Sequence, residues 1–221
     1  MGKTNLLDAL YFLSFTKSYF NKPDAISSIK SNTGFSITGK VDVLKSTEEI
    51  SIVYRENGKK ELLVDKVIIP RFSDHIGKIP MIFVAPDDIK LITGGSEERR
   101  NFIDTLLSQL DHDYLSHLIK YNKVLLERNK LLKNFENIPF DEDLLEAMDQ
   151  QLFLHGGHIL QKRIAFTHDM FPIVKDIFNQ LSDQDENPQI SFMQNTTLEK
   201  DRKSTRLNSS HEWISRMPSS A

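Results

Sequence analysis

The sequence predicts a mixed α/β chain with a small antiparallel sheet near its start and an antiparallel helical arm after it. Three observations carry this. Apolar residues alternate with polar ones between 35 and 54, a period that only an extended strand matches. From residue 97 the apolar spacing turns to threes and fours, the period of an amphipathic helix. The stretch 134–140 holds Pro139, so the two long helices around it most simply fold back on each other. An arm inserted into a sheet domain is the economical architecture.

The elements follow in order. Leu6, Leu7, Leu10 and Leu13 predict an opening helix with one buried face, and residues 14–32, punctuated by Pro23, read as a loop. Phe35, Ile37, Gly39, Val41 and Val43 point one way along a strand, with Ser36, Thr38, Lys40 and Asp42 opposite. Ile50, Ile52 and Tyr54 repeat the pattern, residues 55–59 supply a turn, and 61–64 and 67–69 are further short strands. The continuous apolar run 79–85 predicts a strand buried on both faces.

Ser96 is the expected N-cap of the next helix, with Glu97 and Glu98 in its first turn and Phe102, Ile103, Leu106, Leu107 and Leu110 as its stripe. Leu115, Leu118, Asn122, Leu125, Asn129 and Leu132 form a heptad-like seam. Leu144, Leu145, Met148, Leu152, His155, Ile159 and Phe166 form a second stripe, which Gly156-Gly157 would weaken or kink. Residues 120–133 carry five basic side chains and 136–149 six acidic ones, so charge supports pairing the two helices. Residues 189–193 read as the beginning of a strand. The expected organisation is a partial head over 1–96, a helical arm over 97–182 and a return toward the head sheet over 183–200.

Composition narrows the function classes. The chain has 221 residues, 39% hydrophobic and 27% charged, in the range of globular proteins. A net charge of −3 supplies no global basic field, so any DNA contact must use a local patch. The absence of cysteine excludes disulfides, thiolate metal sites and cysteine nucleophiles, and fits a reducing cytosol. No apolar run is long enough to span a bilayer, and the start lacks a signal-peptide layout. Both ends read as abrupt. Met1 is expected to be an internal methionine of a longer chain. Residues 201–221 are expected to be a non-native tail, because DRKSTRLNSSH and RMPSSA resemble a translated sequencing adapter.

Gly2-Lys3-Thr4 matches the last third of a phosphate-binding loop, G-x-x-x-x-G-K-[ST], at a helix N-terminus. Exposed backbone amides and the positive end of the helix dipole hold phosphate oxygens there. Lys3 would add a cation at the β- and γ-phosphates, and Thr4 a hydroxyl for Mg²⁺. An ordinary frayed helix start is the plain alternative. Arg99 and Arg100 fall early in their helix, where the dipole disfavours cations, and so call for a partner. Asp104 or Asp87 would serve as an intramolecular one. His155, His158 and His168 lack a carboxylate at matching helical spacing and read as surface or packing residues. Asp87 and Asp88 read as turn formers after Pro86. Lys120, Lys123, Arg128, Lys130 and Lys133 are expected to face the acidic partner helix rather than DNA phosphates.

The stretch PDDIKLITGGSEERRNFID resembles the signature of the RecF family of bacterial recombination-repair ATPases, with Ser96 where that family usually has proline. MGKTNLLDALYFL resembles its Walker A end and following helix, TKSYF its next segment, and YNKVLLERNKLLK its Y-N-x-x-L-x-x-R-N helix. In order and spacing the resemblance covers residues 1–200. It implies an ABC-type P-loop ATPase head, related to those of Rad50 and SMC proteins, with a short helical lobe inserted. It further implies ATP and Mg²⁺ as cofactors and an ATP-dependent homodimer in the bacterial cytoplasm. The implied partners are gapped DNA at single-/double-strand junctions and RecR and RecO, with which the family helps load recombinase. Gly2, Lys3 and Thr4 match its phosphate loop; Lys17, Arg99 and Arg100 match basic positions that contact DNA, contact the dimer partner or shape the fold. The upstream half of the phosphate loop, the ABC signature, the Walker B Asp-Glu and a glutamine near Val84 are not in this sequence, so it is not expected to hydrolyse ATP by the family mechanism. Two other readings stand beside this one: a non-enzymatic helical-arm interaction module with an accidental GKT, and another Rad50/SMC-type repair ATPase, whose coiled-coil arm would be much longer.

Overall fold

The computed structural model describes residues 2–20, 34–43, 46–133 and 142–182. The expected strand start at 189–193, the Pro139 connection and the tail 201–221 lie outside the described residues. The chain divides into two compact units, Met1–Val84 and Ala85–Ala221.

The first unit packs helix α1 (Lys3–Phe15) against a four-stranded antiparallel meander: β1 (Phe35–Val43), β2 (Ser46–Tyr54), β3 (Lys60–Val64) and β4 (Val67–Ile68). The alternation predicted this sheet, and the register follows it: Phe35 pairs with Tyr54, Ile37 with Ile52 and Gly39 with Ile50. The residues read as inward-facing on β1, from Phe35 to Val41, are half-buried, and Ser36, Thr38, Lys40 and Asp42 are exposed. The core is Phe12, Leu13, Ile50, Ile52 and Leu62, ringed by Phe35, Ile37, Val41, Val64, Ile69, Phe72 and Ile79. A glycine interrupts β1 where α1 presses closest: a β-carbon at Gly39 would lie 2.6 Å from Leu13 Cδ1. The predicted turn closes with Arg55 N–H donating to the Lys59 carbonyl at 2.9 Å.

Two expectations for this unit are corrected. The buried face of α1 is not Leu6, Leu7 and Leu10, which are 65, 50 and 44% exposed, but Tyr11, Phe12, Leu13 and Phe15. The sheet meets only the C-terminal turns of the helix, where Phe12 stacks edge-on to Phe35. Residues 79–85 are not a strand. Pro80 lacks an N–H, Ile82 and Val84 are 76 and 80% exposed, and Phe83 instead packs its ring 4.3 Å from that of Tyr19.

The second unit is helical. A 3-10 turn (Pro86–Ile89) leads into α2 (Lys90–Thr93), then α3 (Ser96–Leu110), α4 (His112–Lys133) and α5 (Glu142–Leu181). Contacts step up α4 as they step down α5, from Arg128–Asp149 through Tyr121–Gly156 to Tyr114–Arg163, which makes the pair antiparallel as expected. The core holds Ile103, Leu107, Tyr114 and Ile159, with Leu118, Tyr121 and Phe166 against it. The seam of α4 keeps the predicted Leu115, Leu118, Leu125, Asn129 and Leu132 at least half-buried but differs in its other members. Tyr114, Leu115, Val124 and Arg128 are buried, whereas Asn122 is exposed. The seam turns toward the aromatic and charged side chains because α5 supplies their partners. Arg128 Nε donates to Asp149 Oδ1 at 2.6 Å, and Tyr114 joins Asp104 and Arg163. Helix α5 runs through Gly156-Gly157 without interruption.

Candidate functional site

Gly2, Lys3 and Thr4, the residues expected to hold phosphate, stand at the N-terminus of α1. Gly2 is its N-cap with φ 126°, a conformation that L side chains rarely adopt and glycine tolerates. No side chain caps this end, and no acidic residue lies in its first turn. The first amides therefore keep their donors for an anion, at the positive end of a helix of 13 residues. Lys3 and Thr4 are exposed beside them. An aspartate or serine cap would have filled this position; a glycine with no atom near its absent β-carbon leaves room for a phosphate. The residues present fit the phosphate group.

Beyond α1 the chain turns through Thr16, in the left-handed region at φ 57°, whose N–H donates to the Phe12 carbonyl at 2.7 Å. Asp8 holds the next residues: its carboxylate accepts from Ser18 Oγ at 2.9 Å and from Tyr19 N–H at 2.8 Å. Burial and the Asp8 charge push the Tyr11 hydroxyl up to about 12, so it stays protonated. Lys17 sits exposed on this segment, between the buried Thr16 and Ser18.

Arg99 finds partners other than those expected. Arg99 Nη1 donates to the carbonyls of Gly94 at 3.0 Å and Leu91 at 3.2 Å, closing the end of α2 onto α3. Arg100 Nη1 donates to Ser96 Oγ at 2.8 Å. Burial, together with the Arg163 guanidinium nearby, lowers the pKa of Arg100. Asp87 pairs instead with Lys90, and Asp104 with Arg163. Ser96 is the first helical residue, and Gly95 takes the cap position assigned to it from sequence. Asp88 has the expected turn role, its carboxylate accepting from Ala85 N–H at 2.7 Å.

The histidines separate. His168 is exposed next to Asp169. His155 and His158 both meet His117 of α4, and Asp113 lies beside them. Sequence reasoning missed His117 and Asp113; their spacing of four on one helix was the available signal. Of the basic run on α4, Arg128 pairs with the acidic helix, while Lys120, Lys123, Lys130 and Lys133 are exposed.

No protein-family model matches the sequence. The chain is 40% identical over 193 residues to the DNA replication and repair protein RecF of Bacteroides fragilis, a match covering 87% of this chain and 52% of that protein. It is 40% identical over 194 residues to RecF of Flavobacterium johnsoniae, covering 87% of this chain and 54% of the other. It thus spans about half the length of the curated relatives it matches. A solved structure of the recombination mediator protein RecF with ATP superposes with a TM-score of 0.80 at 25% identity, over 98% of this chain and 61% of that one. A second, of RecF with ATPrS, gives 0.76 at 28% identity, over 82% and 49%. The small antiparallel sheet and the helical arm are those of the ABC-type fold in these structures, and over the length that it spans the chain belongs to the RecF family.

Proposed function

We propose that this chain is the nucleotide-binding part of an ATP-dependent DNA-repair protein of RecF type. The observation that carries the reading is the start of α1, where an uncapped helix end, a glycine at φ 126° and the exposed Lys3 and Thr4 present backbone donors, a cation and a hydroxyl together. The similarity to RecF solved with ATP or ATPrS supports adenosine triphosphate as the occupant. Lys3 would neutralise the β- and γ-phosphates, and the Thr4 hydroxyl would ligate Mg²⁺. Residues 1–96 and 183–200 would contribute to the head, and 97–182 would form its helical lobe.

In the whole protein, ATP would join two heads, and the dimer would bind gapped DNA in the cytoplasm and act with RecR and RecO to help load recombinase. Of Lys17, Arg99 and Arg100, Lys17 is the one whose side chain is exposed, for DNA or for the second head. The carbonyl and hydroxyl contacts of Arg99 and Arg100 support a role in shaping the turn into α3. The test is nucleotide affinity of Lys3→Ala in the protein extended to the length of its relatives. A loss of tenfold or more, about 1.4 kcal/mol, is expected. Unchanged affinity rejects the reading.

A further inference from the structure

We propose that Asp113, His117 and His158 form a divalent transition-metal site, with zinc as its natural ion, that clips α4 to α5. The three side chains come from two helices, Asp113 and His117 one turn apart on α4 and His158 on α5. One ligand atom from each lies within 4.8 Å of the other two. His158 Nε2 is 3.4 Å from Asp113 Oδ2, and His117 Nε2 is 3.9 Å from Asp113 Oδ1. Both separations are long for a good hydrogen bond. The His158–Asp113 separation is that of two ligands of one tetrahedral ion, about 2.0–2.2 Å from the centre and roughly 3.3–3.6 Å apart; the His117 separation, measured to the other carboxylate oxygen, needs a small side-chain adjustment to reach it.

Two further observations point the same way. His158 Nε2 is buried and has no hydrogen-bond partner among the described residues, a cost that a coordinated ion removes. His117 Nδ1 lies 3.1 Å from His155 Nδ1, so one of the two rings donates and the other accepts. When His117 is the donor, its Nε2 carries the lone pair that a metal needs and its ring orientation is fixed from behind, the outer-shell arrangement found around histidine ligands. Two imidazoles and one carboxylate select zinc-like ions over Mg²⁺, which takes oxygen ligands. Asp113 is 68% exposed, so the fourth position opens to water. The site is separate from the α1 N-terminus and does not depend on the nucleotide reading.

The experiment strips the chain of metal with a chelator, then titrates it with Co²⁺ and Zn²⁺ without nucleotide. One equivalent of Co²⁺ should develop the visible d–d absorption of a tetrahedral N/O site, and Zn²⁺ should displace it and raise the thermal midpoint. His117→Gln, His158→Gln and Asp113→Asn should each weaken binding about tenfold or more at unchanged helix content by circular dichroism, and His168→Gln should leave it unchanged. Asp113 is exposed, so its variant tests the ligand set even if an imidazole variant fails to fold. Absence of a one-to-one Co²⁺ spectrum, or binding that persists in Asp113→Asn and the imidazole variants, overturns the proposal. Equal weakening by His168→Gln does so too, by assigning the ion to scattered surface histidines.

Discussion

Gly156 of α5 lies against the ring of Tyr121 on α4 so closely that a β-carbon at Gly156 would stand 3.1 Å from Tyr121 Cε2. At the adjacent Gly157 a β-carbon would meet nothing within 4 Å. The two glycines therefore respond oppositely to substitution. Gly157→Ala should stabilise the helix by about 0.5–1 kcal/mol, the usual difference in helix propensity. Gly156→Leu should destabilise by roughly 1–3 kcal/mol through overpacking against Tyr121. Urea midpoints of the two variants check the pair, and equal effects would show that the close approach is not maintained in solution.

The Asp104 carboxylate ties three helices together. It accepts from Arg163 Nη2 at 2.7 Å, Arg163 Nε at 2.8 Å and the hydroxyl of the fully buried Tyr114 at 2.5 Å. Asp104→Ala strands the Arg163 guanidinium in a largely buried position and should cost about 3–5 kcal/mol. Tyr114→Phe removes one hydrogen bond to a charged group and should cost about 1.5–3 kcal/mol. Chemical denaturation of both variants should rank them in that order.

His75 is fully buried, and its Nε2 donates to the Leu13 carbonyl at 2.7 Å, while Nδ1 has no partner among the described residues. Burial lowers its pKa below the ordinary 6.5, because a second proton would have no acceptor. The sign follows: the unfolded chain binds the proton more readily, so the contribution to stability is complete above 6.5 and falls as the pH drops through and below that value. His75→Gln retains a donor and does not titrate. The difference in denaturation midpoint between wild type and His75→Gln should shrink as the pH is lowered from 7.5 to 5.5; a constant difference would refute the assignment.

Lys17 and Arg99 should part company. Arg99→Ala removes two hydrogen bonds to backbone carbonyls at the turn into α3 and should cost about 1.5–3 kcal/mol of stability. Lys17→Ala, at an exposed side chain, should leave stability within about 0.5 kcal/mol. If Lys17 meets a phosphate, that variant in the full-length protein should also reduce the slope of log affinity for DNA against log salt by about 1. A salt slope and affinity equal to wild type would remove Lys17 from the DNA interface.

Much of the fold was legible because its signals are local. The alternation from Phe35 to Tyr54 can be satisfied only by strands, and the observed register preserves it residue by residue. The glycine, lysine and threonine opening α1 were legible for the same reason, since a helix end is built from consecutive residues. The α4 seam kept Leu115 and Leu118 as expected, but Asn122 lies outside it and Tyr114, Val124 and Arg128 lie within it. Arg128 is buried at 5% exposure only because Asp149 waits on the facing helix, and no pattern within α4 reveals that.

By itself the sequence determined the periods, the turns and the glycine start of α1, which depend on backbone geometry within a few residues. Tertiary structure alone decided which face of α1 is covered, how Phe83 joins Tyr19, and how Asp113, His117, His155 and His158 meet. The physical reason is that burial and ligand convergence are properties of two surfaces in contact. His117 and His155 stand 38 positions apart, and only the antiparallel packing of α4 on α5 brings their ring nitrogens to 3.1 Å.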